Sequence, residues 1–204
     1  QAKINEGLMA SGVTMLDPKT VWVGPDVTVG RDTELLPMTM LWGSTSVGEG
    51  CVVGPNTRLT NCVVANDVTL EETVGTDVTI DDGVTCGPRA YLRGGAHVLE
   101  GAHIGTHVEL KNTMGDHVNI GGGSITCNYD GVHKSRTTIG DNVFIGSDTM
   151  MVAPVTIGEG AITGASSCIT RDVPADALAI ERSEQHIVEG FASKRLERLR
   201  KDQA

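Results

Sequence analysis

A hydrophobic residue returns at every sixth position in the stretch Ile139-Gly-Asp-Asn-Val-Phe-Ile145-Gly-Ser-Asp-Thr-Met-Met151-Val-Ala-Pro-Val-Thr-Ile157, and this rhythm decides the fold. Two earlier runs share it. The repeated positions are Val23, Val29, Leu35, Leu41, Val47, Val53 and Leu59; Val74, Ile80, Cys86, Leu92, Val98, Ile104 and Leu110; and Ile139, Ile145, Met151, Ile157, Thr163 and Ile169. Of these 20 positions 19 are hydrophobic, whereas a chain that is 39% hydrophobic would give about 8 by chance, so the period is real.

A six-residue period excludes an amphipathic helix and favours short strands. Six residues rotate a helix by about 240°, so no helical face would stay hydrophobic. Polar and apolar residues alternate locally, as in Val27-Thr28-Val29, and turn residues such as Gly48-Glu49-Gly50 separate the alternating pieces. Three strand-and-turn sides make a triangular coil of about 18 residues. The sequence therefore predicts an all-β parallel β-helix shaped as a triangular prism; an ordinary β-sandwich with regular turns is the alternative.

The repeat divides the chain into three parts. Residues 17–173 are predicted to form the β-helix, residues 1–16 a helix and linker, and residues 174–204 a tail with a terminal helix. Because the chain starts at Gln1 rather than Met, we expect it to be part of something longer.

Two local expectations concern the ends and the phase of the repeat. Helices are predicted over 2–11 and 183–201. Apolar residues of the second helix are expected to cover the last coil, since an open solenoid end exposes strand edges. These residues are Ile187, Phe191 and Leu196. The 15 residues from Leu59 to Val74 break the phase by three, which predicts a bulge or loop between them.

Composition limits the possible partners. A formal charge of −10 and a pI near 4.9 argue against nucleic acid as a ligand over most of the surface. A basic cluster lies at 193–201 and is expected to be a solvated helix face. The five cysteines include no close C-x-x-C pair, which favours a reduced, cytoplasmic chain. No apolar run approaches 18 residues, so no membrane insertion is expected.

Several motifs resemble the acetyltransferase domain of the bacterial bifunctional enzyme that makes UDP-N-acetylglucosamine. The most specific is Cys127-Asn-Tyr-Asp-Gly131, which lies within Ile120–Gly131 and is followed by Lys134. The stretches Ile139–Asp148 and Ala153–Gly158 extend the resemblance. It covers nearly the whole chain and implies a left-handed β-helix, a homotrimer with each site built between neighbouring chains, and no metal. The handedness comes only from the resemblance, since ordinary strand crossovers are right-handed.

The resemblance also implies the reaction and the residues that serve it. Acetyl-CoA would acetylate glucosamine-1-phosphate, a step towards UDP-N-acetylglucosamine and the cell wall. The residues that match sugar-phosphate positions are Arg93, Lys111, Asn119, Asn128 and Tyr129, with Asn128 also supporting the acetyl group. Those that match the coenzyme site are Gly122, Lys134, Ser147, Ala165 and Arg182. Cations suit a phosphate, and small residues allow the thin pantetheine arm to approach the backbone.

One coil of the family pattern has no counterpart here. Between Lys111 and Asn119 the family carries about 18 further residues, including the His that acts as general base; this chain has seven, and the junction falls between Thr113 and Met114. Three explanations stay open: a segment missing from the recorded sequence, deletion by design, and natural loss of catalysis. The alternative function is therefore a β-helix scaffold that trimerises and binds acetyl-CoA with impaired catalysis.

None of the six histidines matches the family's base. Surface or structural roles are expected for all of them, and His117 is a weak substitute candidate because it lies nearest the short junction. A metal site of three histidines is a further possibility that the spacing of His97, His103 and His107 does not favour.

Overall fold

The computed structural model describes residues 1–111 and 114–201 and has the predicted architecture, a parallel β-helix of about nine turns. Short strands stack in parallel on three faces of a prism. The arrangement agrees with the left-handed winding implied by the resemblance. The fold prediction is therefore confirmed.

Three faces, named here after their first strands, contain all of the named strands. The β1 face comprises β1 (Thr14–Met15), β4 (Glu34–Leu35), β7 (Val52–Val53), β10 (Thr69–Leu70), β13 (Thr85–Cys86), β16 (His103–Ile104), β18 (Asn119–Ile120), β21 (Phe144–Ile145), β24 (Ile162–Thr163) and β26 (Leu178–Ala179). The β2 face comprises β2 (Trp22–Val23), β5 (Met40–Trp42), β8 (Arg58–Thr60), β11 (Val74–Thr76), β14 (Tyr91–Leu92), β17 (Glu109–Leu110), β19 (Ile125–Cys127), β22 (Met150–Val152) and β25 (Cys168–Ile169). The β3 face comprises β3 (Thr28–Val29), β6 (Ser46–Val47), β9 (Val63–Val64), β12 (Thr79–Ile80), β15 (His97–Val98), β20 (Thr137–Ile139) and β23 (Val155–Ile157), and Met114 bridges β15 to β20.

The six-residue rhythm forms the core because the repeated residues point inward and stack on their counterparts one coil away. Leu35, Leu41 and Leu59 are fully buried, as are most of the other repeated positions. Burying an aliphatic side chain of this size contributes about 1.5–3 kcal/mol, so the long narrow core is stabilised coil by coil.

The corners of the prism are built on residues with positive φ. Asp32, Asp67 and Asn142 occupy such positions at the edge between the β3 and β1 faces, where Asn and Asp are among the best tolerated side chains. His117 continues the same column with φ 53°, and its backbone N–H donates to the carbonyl oxygen of Glu100 at 2.8 Å. His117 is thus a corner residue on the edge opposite the β2 face.

The expected bulge between Leu59 and Val74 is wrong. Three shortened corners account for the loss of three residues: the inward positions step by five residues from Leu59 to Val64, from Leu70 to Gly75 and from Gly75 to Ile80. Gly75 rather than Val74 is the inward residue of β11. A Cβ at Gly75 would lie 3.1 Å from Leu59 Cδ2, so any larger residue there would require Leu59 to shift by a few tenths of an ångström.

The number of residues between successive inward positions departs from six mainly at the edge between the β2 and β3 faces. The inward positions Leu110 and Met114 are four residues apart, and the same four-residue step recurs from Ile169 to Val173. Met114 continues the stack, because its N–H donates to the His97 carbonyl oxygen at 2.9 Å and its own carbonyl accepts from Leu99 N–H at 3.2 Å. The predicted Thr113–Met114 junction lies outside the described residues, since Asn112 and Thr113 are not described.

Helices lie at both ends of the prism. The first, α1 (Ala2–Ala10), confirms the predicted N-terminal helix, and it is anchored by the buried Asn5, whose Nδ2 donates to the carbonyl oxygens of Pro18 and Val21 at 2.7 and 3.0 Å. The second, α2 (Phe191–Lys201), starts eight residues later than predicted, directly after Gly190 at φ 71°. Within the described residues, no helix has the length and apolarity needed to cross a membrane.

The expectation that the terminal helix covers the last coil is wrong for the single chain. Ile187, Phe191 and Leu196 are 77%, 60% and 55% exposed. The last coil ends instead in an open cleft lined by 168–174 and 177–181. The apolar side chains of the tail were interpreted as a cap because their spacing suits a helix, but spacing does not determine where a tail docks.

Candidate functional site

Three cations occupy successive coils at the edge between the β2 and β3 faces. Arg93 directly follows β14, Lys111 directly follows β17 one coil later, and Lys134 lies on the loop that follows β19. Desolvation lowers the pKa of the Lys111 ammonium, and the charges of Lys134 and Arg93 lower it further. Three positive groups close enough to affect one another form a site suited to an anion.

Arg93 is held by a carboxylate on the next coil. Its Nη1 donates to Glu109 Oε1 at 2.8 Å, and both side chains stay partly exposed. Glu109 points outward from β17, one position before the inward Leu110. The pair orients the guanidinium while leaving other N–H groups of its fork for a ligand.

Lys134 is presented by a hairpin that leaves the coil after Cys127. Asn128 is buried and its carbonyl oxygen accepts from Ser135 N–H at 2.8 Å, while Tyr129 and Lys134 form an antiparallel bridge. At the tip, the Asp130 carboxylate accepts from the N–H groups of His133 and Val132 at 2.6 and 2.8 Å, and these bonds lower the pKa of Asp130. The Cys127–Gly131 motif is therefore a loop with its own internal hydrogen bonds.

Tyr129 and Asn128 differ in exposure within that hairpin. Tyr129 is 60% exposed, and its hydroxyl donates to the Gly131 carbonyl oxygen at 2.6 Å. The buried Asn128 lies at the base, where the chain leaves the β2 face. The hairpin thus offers one buried amide and one accessible ring beside the cations.

The predicted coenzyme residues lie mainly on a different edge, between the β1 and β2 faces. Gly122, Ser147 and Ala165 occupy corresponding corners of three successive coils, because Asp148 N–H donates to the Gly122 carbonyl oxygen and Ser166 N–H to the Ser147 carbonyl oxygen. At the top, Arg182 Nη1 donates to the Ala165 carbonyl oxygen at 3.2 Å. The result is an exposed strip of small side chains, here called the small-residue edge (Gly122, Ser147, Ala165), with a cation at one end.

Two predicted residues are separated from the groups to which they were assigned. Asn119 is an outward residue of β18 on the β1 face, between His103 and Phe144 in the strand register. Lys134, assigned to the coenzyme, lies on the loop after β19, close enough to Lys111 for its charge to lower the pKa of that ammonium, and not on the small-residue edge. Within one chain, the structure brings Arg93, Lys111 and Lys134 together and leaves Asn119 on another face.

The histidines are spread over the surface. His97 Nε2 lies 3.0 Å from Asp81 Oδ2, His103 Nδ1 lies 2.6 Å from Thr85 Oγ1, and His107 Nε2 lies 3.2 Å from Arg89 Nη1. Among residues 1–111 and 114–201, no group of three His, Cys, Asp or Glu side chains is arranged to hold a metal. His117 occupies the corner opposite the β2 face and is not brought to the cations.

All five cysteines are free. Burial raises the pKa of the Cys86 thiol to about 12. Burial also raises the pKa of Cys127, with smaller contributions from Cys168 and Glu109. A raised pKa makes the Cys86 and Cys127 thiols poor nucleophiles at neutral pH.

Sequence reasoning missed Glu109 and the place of Lys134. The partner of Arg93 lies 16 residues away, close to one coil, and both residues are outward neighbours of repeat positions, so the six-residue register contained the signal. The position of Lys134 depends on the path of the hairpin, and the six-residue repeat does not predict that path.

Comparison with known proteins agrees with this architecture. Residues 136–171 match the family described as bacterial transferase hexapeptide (six repeats). The bifunctional protein GlmU of Carboxydothermus hydrogenoformans is 46% identical over 198 residues, covering 88% of this chain and 44% of the relative. The GlmU of Fervidobacterium nodosum is 44% identical over 216 residues, covering 97% and 48%. The chain spans less than half the length of these relatives.

A solved structure shows the same fold at low identity. The UDP-N-acetylglucosamine acyltransferase of Francisella novicida superposes with a TM-score of 0.74 at 14% identity, covering 91% of this chain and 73% of that protein. At this identity the similarity concerns the fold alone.

The aligned lengths indicate a difference of about one coil. The alignment with the Fervidobacterium nodosum protein runs over 216 positions, whereas 97% of a 204-residue chain is about 198 residues. About 18 positions are therefore filled by the relative alone, and a hexapeptide coil has about 18 residues.

Proposed function

This hexapeptide-repeat chain is a homologue of part of the GlmU proteins, and we propose that it transfers the acetyl group of acetyl-CoA to the amine of glucosamine-1-phosphate. The observation that carries the proposal is 41–46% identity to several GlmU proteins over about nine tenths of the chain. The product would be a precursor of UDP-N-acetylglucosamine, made in the cytoplasm for the cell wall.

The cations at the β2–β3 edge are proposed to bind the phosphate of the acceptor. Arg93, oriented by Glu109, would bind two phosphate oxygens through its planar fork, and Lys111 would contribute a point charge. Asn128 and Tyr129, on the neighbouring hairpin, would contact the sugar, with Asn128 also near the acetyl group. This arrangement places the sugar between a charged end and an amide.

The small-residue edge is proposed to bind the pantetheine arm of acetyl-CoA. Gly122, Ser147 and Ala165 carry little side-chain bulk, so a thin chain can lie against the backbone. Arg182, at the end of this strip, would contact a coenzyme phosphate. Lys134 was assigned to the coenzyme by resemblance, and the lowering of the Lys111 pKa by its charge supports a place nearer the acceptor.

A homotrimer with shared sites is proposed because one chain separates the necessary groups. Asn119 lies on the β1 face and Arg93 follows a strand of the β2 face. Cyclic association brings different surfaces of neighbouring copies together, so Asn119 of one copy would meet the cations of the next. The division of the chain into 1–16, 17–173 and 174–204 remains part of the same proposal.

The proposed chemistry is direct attack. The neutral amine of glucosamine-1-phosphate attacks the thioester carbonyl, a C–N bond forms, the C–S bond breaks, and the thiol of coenzyme A leaves with a proton. The family's His base has no counterpart in this sequence, and the described histidines lie away from the cations or at the exposed hairpin tip. We propose that water accepts the amine proton, which requires a free amine and makes the rate rise with pH.

An acetyl-transfer assay tests the proposal. The chain, verified by intact mass, is incubated with acetyl-CoA and glucosamine-1-phosphate, and release of coenzyme A and the acetylated sugar are both measured between about pH 6.5 and 9. We expect product formation that increases with pH. Coenzyme binding without any acetylated sugar across this range would contradict the proposal and favour the scaffold alternative.

A further inference from the structure

We propose that three buried residues, Ser124, Thr149 and Thr163, are positioning residues for the coenzyme, because their hydroxyls fix the backbone at Gly146 so that the Ser147 N–H points out of the prism. The inference rests on the proposed function only for the assignment of the small-residue edge to the pantetheine arm. It adds which residues hold that edge in place and which backbone atom contacts the arm.

Thr163 is the polar exception to the hydrophobic rhythm. It occupies one of the 20 repeated positions, of which the other 19 are hydrophobic, and its side chain is buried like theirs. Burying a hydroxyl costs free energy unless it forms hydrogen bonds, and a hydrophobic residue would avoid that cost. We therefore expect the Thr163 hydroxyl to have a task that a hydrophobic side chain cannot perform.

The three hydroxyls converge on Gly146, the residue before Ser147. Thr149 Oγ1 and Ser124 Oγ donate to the Gly146 carbonyl oxygen at 2.6 and 3.2 Å. The Gly146 N–H donates to Thr163 Oγ1 at 3.1 Å, and this oxygen lies 3.3 Å from Thr149 Oγ1. Because all three hydroxyl side chains are buried, the Gly146 carbonyl faces the interior of the prism.

An inward carbonyl turns the next N–H outward. The peptide between Gly146 and Ser147 is trans, so its C=O and N–H point in opposite directions. Among residues 1–111 and 114–201, the N–H of the exposed Ser147 has no hydrogen-bond partner, and neither do those of Gly122 and Ala165 on the adjacent coils. The small-residue edge thus presents a column of backbone donors.

Lower coils lack this donor at the corresponding corner. The carbonyl oxygen of Ser147 accepts an N–H from the coil above, and the carbonyl oxygens of Pro37, Pro55 and Pro88 do the same lower on this edge. Proline has no N–H to donate. From Thr106 upwards every residue of the column carries one, so the donors coincide with the part of the edge assigned to the coenzyme.

The pantetheine arm suits a column of donors because it contains two amide groups, and amide carbonyl oxygens accept hydrogen bonds. A donor that the fold already fixes binds more tightly than one that must be ordered on association. Ser147 N–H is the donor that the buried hydroxyls fix. We expect it to donate to one of the two amide carbonyl oxygens of the arm.

Removal of one buried hydroxyl tests this role, and the same column supplies a matched control. Thr149→Val removes the 2.6 Å bond to Gly146. Thr39 occupies the corresponding inward corner lower in the prism, is equally buried and donates to the Val53 carbonyl oxygen at 3.0 Å, so Thr39→Val removes a similar bond far from the edge. Val108 occupies this corner in another coil, so valine fits there.

Two probes separate the arm from the rest of the coenzyme. Coenzyme A contains the pantetheine arm, whereas adenosine 3′,5′-bisphosphate has the nucleoside and phosphates without the arm. Both are titrated by calorimetry into the parent chain and into each variant, and thermal unfolding of each variant is recorded alongside.

We expect Thr149→Val to weaken coenzyme A binding about fivefold, the size of one lost hydrogen bond, and to leave bisphosphate binding within about twofold. Thr39→Val should leave the affinity for both probes unchanged. Thr149→Ser keeps the hydroxyl and should bind coenzyme A as the parent does. Equal weakening of both probes by Thr149→Val, or no weakening of coenzyme A, would overturn the proposal.

Thr163→Val keeps the proposal testable if Thr149→Val does not fold, because valine places a hydrophobic residue at a repeated position. It should weaken coenzyme A binding about threefold and leave the bisphosphate unaffected. Equal coenzyme A affinity in this variant and the parent would also overturn the proposal.

The outcomes for this inference and for the proposed function are distinguishable. Coenzyme A binding that follows the expected pattern without acetyl transfer would contradict only the proposed function. Acetyl transfer with equal coenzyme A affinity in all variants would contradict only this inference, and a parent chain that does not bind coenzyme A would contradict both.

Discussion

Two edges of the same prism are built differently. The small-residue edge follows the six-residue period through Gly122, Ser147 and Ala165, and its surface is mostly backbone and small side chains. The edge between the β2 and β3 faces departs from the period at Lys111 and again at the hairpin that follows Cys127, and it carries the cations. The regular edge suits a long, thin ligand, and the irregular edge suits a small, charged one.

The difference shows how a repeat scaffold acquires chemistry. A strict period places equivalent residues above one another, which produces a uniform groove. At the irregular edge, Arg93 and Lys111 lie one coil apart in the strand register, and the inserted hairpin adds a third charge, Lys134, which lowers the pKa of Lys111. We expect substitutions on the irregular edge to affect the acceptor and those on the regular edge to affect the coenzyme or the fold.

The largest effect is expected at the irregular edge. Arg93→Met removes the guanidinium and leaves Glu109 without its partner, so kcat/KM for glucosamine-1-phosphate should fall roughly 100-fold while the KM for acetyl-CoA changes little. Steady-state kinetics with each substrate varied in turn provide the measurement. Arg58→Met, at an exposed arginine lower on the same face, is the control. Similar losses in both variants would show that the effect is not specific to Arg93.

The regular edge is expected to be intolerant of bulk in its turns. A Cβ at Gly146 would lie 2.5 Å from Ala165 N, so Gly146→Ala should lower the free energy of unfolding by about 1–3 kcal/mol. Urea unfolding followed by circular dichroism measures it. Gly7→Ala is the control, because its Cβ meets nothing within 4 Å and alanine should stabilise the helix. Equal stability of the Gly146 variant and the parent would contradict the tight stacking.

Arg182 should affect the coenzyme alone. Arg182→Ala is expected to raise the KM for acetyl-CoA about tenfold and to leave the KM for glucosamine-1-phosphate unchanged, since the side chain ends the small-residue edge. Initial rates at saturating acceptor provide the test, with Arg31→Ala as an exposed control. A change confined to the acceptor KM would assign Arg182 to the other edge.

The smallest effect concerns pH. The folded state lowers the pKa of Lys111 below its ordinary value of 10.5, so between the lowered pKa and 10.5 the folded chain binds fewer protons than the unfolded chain. Stability therefore rises with pH across this window, relative to a chain without the ammonium. Parent and Lys111→Met are compared by urea unfolding from about pH 8 to 10 without phosphate. A difference in free energy of unfolding between the two chains that does not change with pH would contradict the predicted charge repulsion at Lys111.

The regular edge could be predicted from the sequence, whereas the irregular edge could be predicted only in part. The six-residue rhythm sets which side chains point inward, and 18 of the 20 repeated positions are buried. Val74 is the misassigned position, because five-residue corners keep the strands in register without any bulge. The six-residue repeat alone does not show which corners of the prism contain fewer residues.

The sequence indicated which residues belong to the site but not how they are arranged in space. Arg93 and Lys111 could be placed one coil apart from the register, but the charge effect of Lys134 on Lys111 depends on the path of the Asn128–Ser135 hairpin. The exposed tail was misassigned because amphipathic spacing gives a helix without giving its partner.

Mixing two inactive variants tests most directly whether the two edges belong to one shared site. Arg93→Met chains and Asn119→Ala chains, each expected to be nearly inactive alone, are unfolded together and refolded as mixed trimers. If Asn119 of one chain serves the cations of its neighbour, about one quarter of the sites will contain both native residues, and activity should recover to about that fraction of the parent. A mixture no more active than the two variants measured separately would contradict the account.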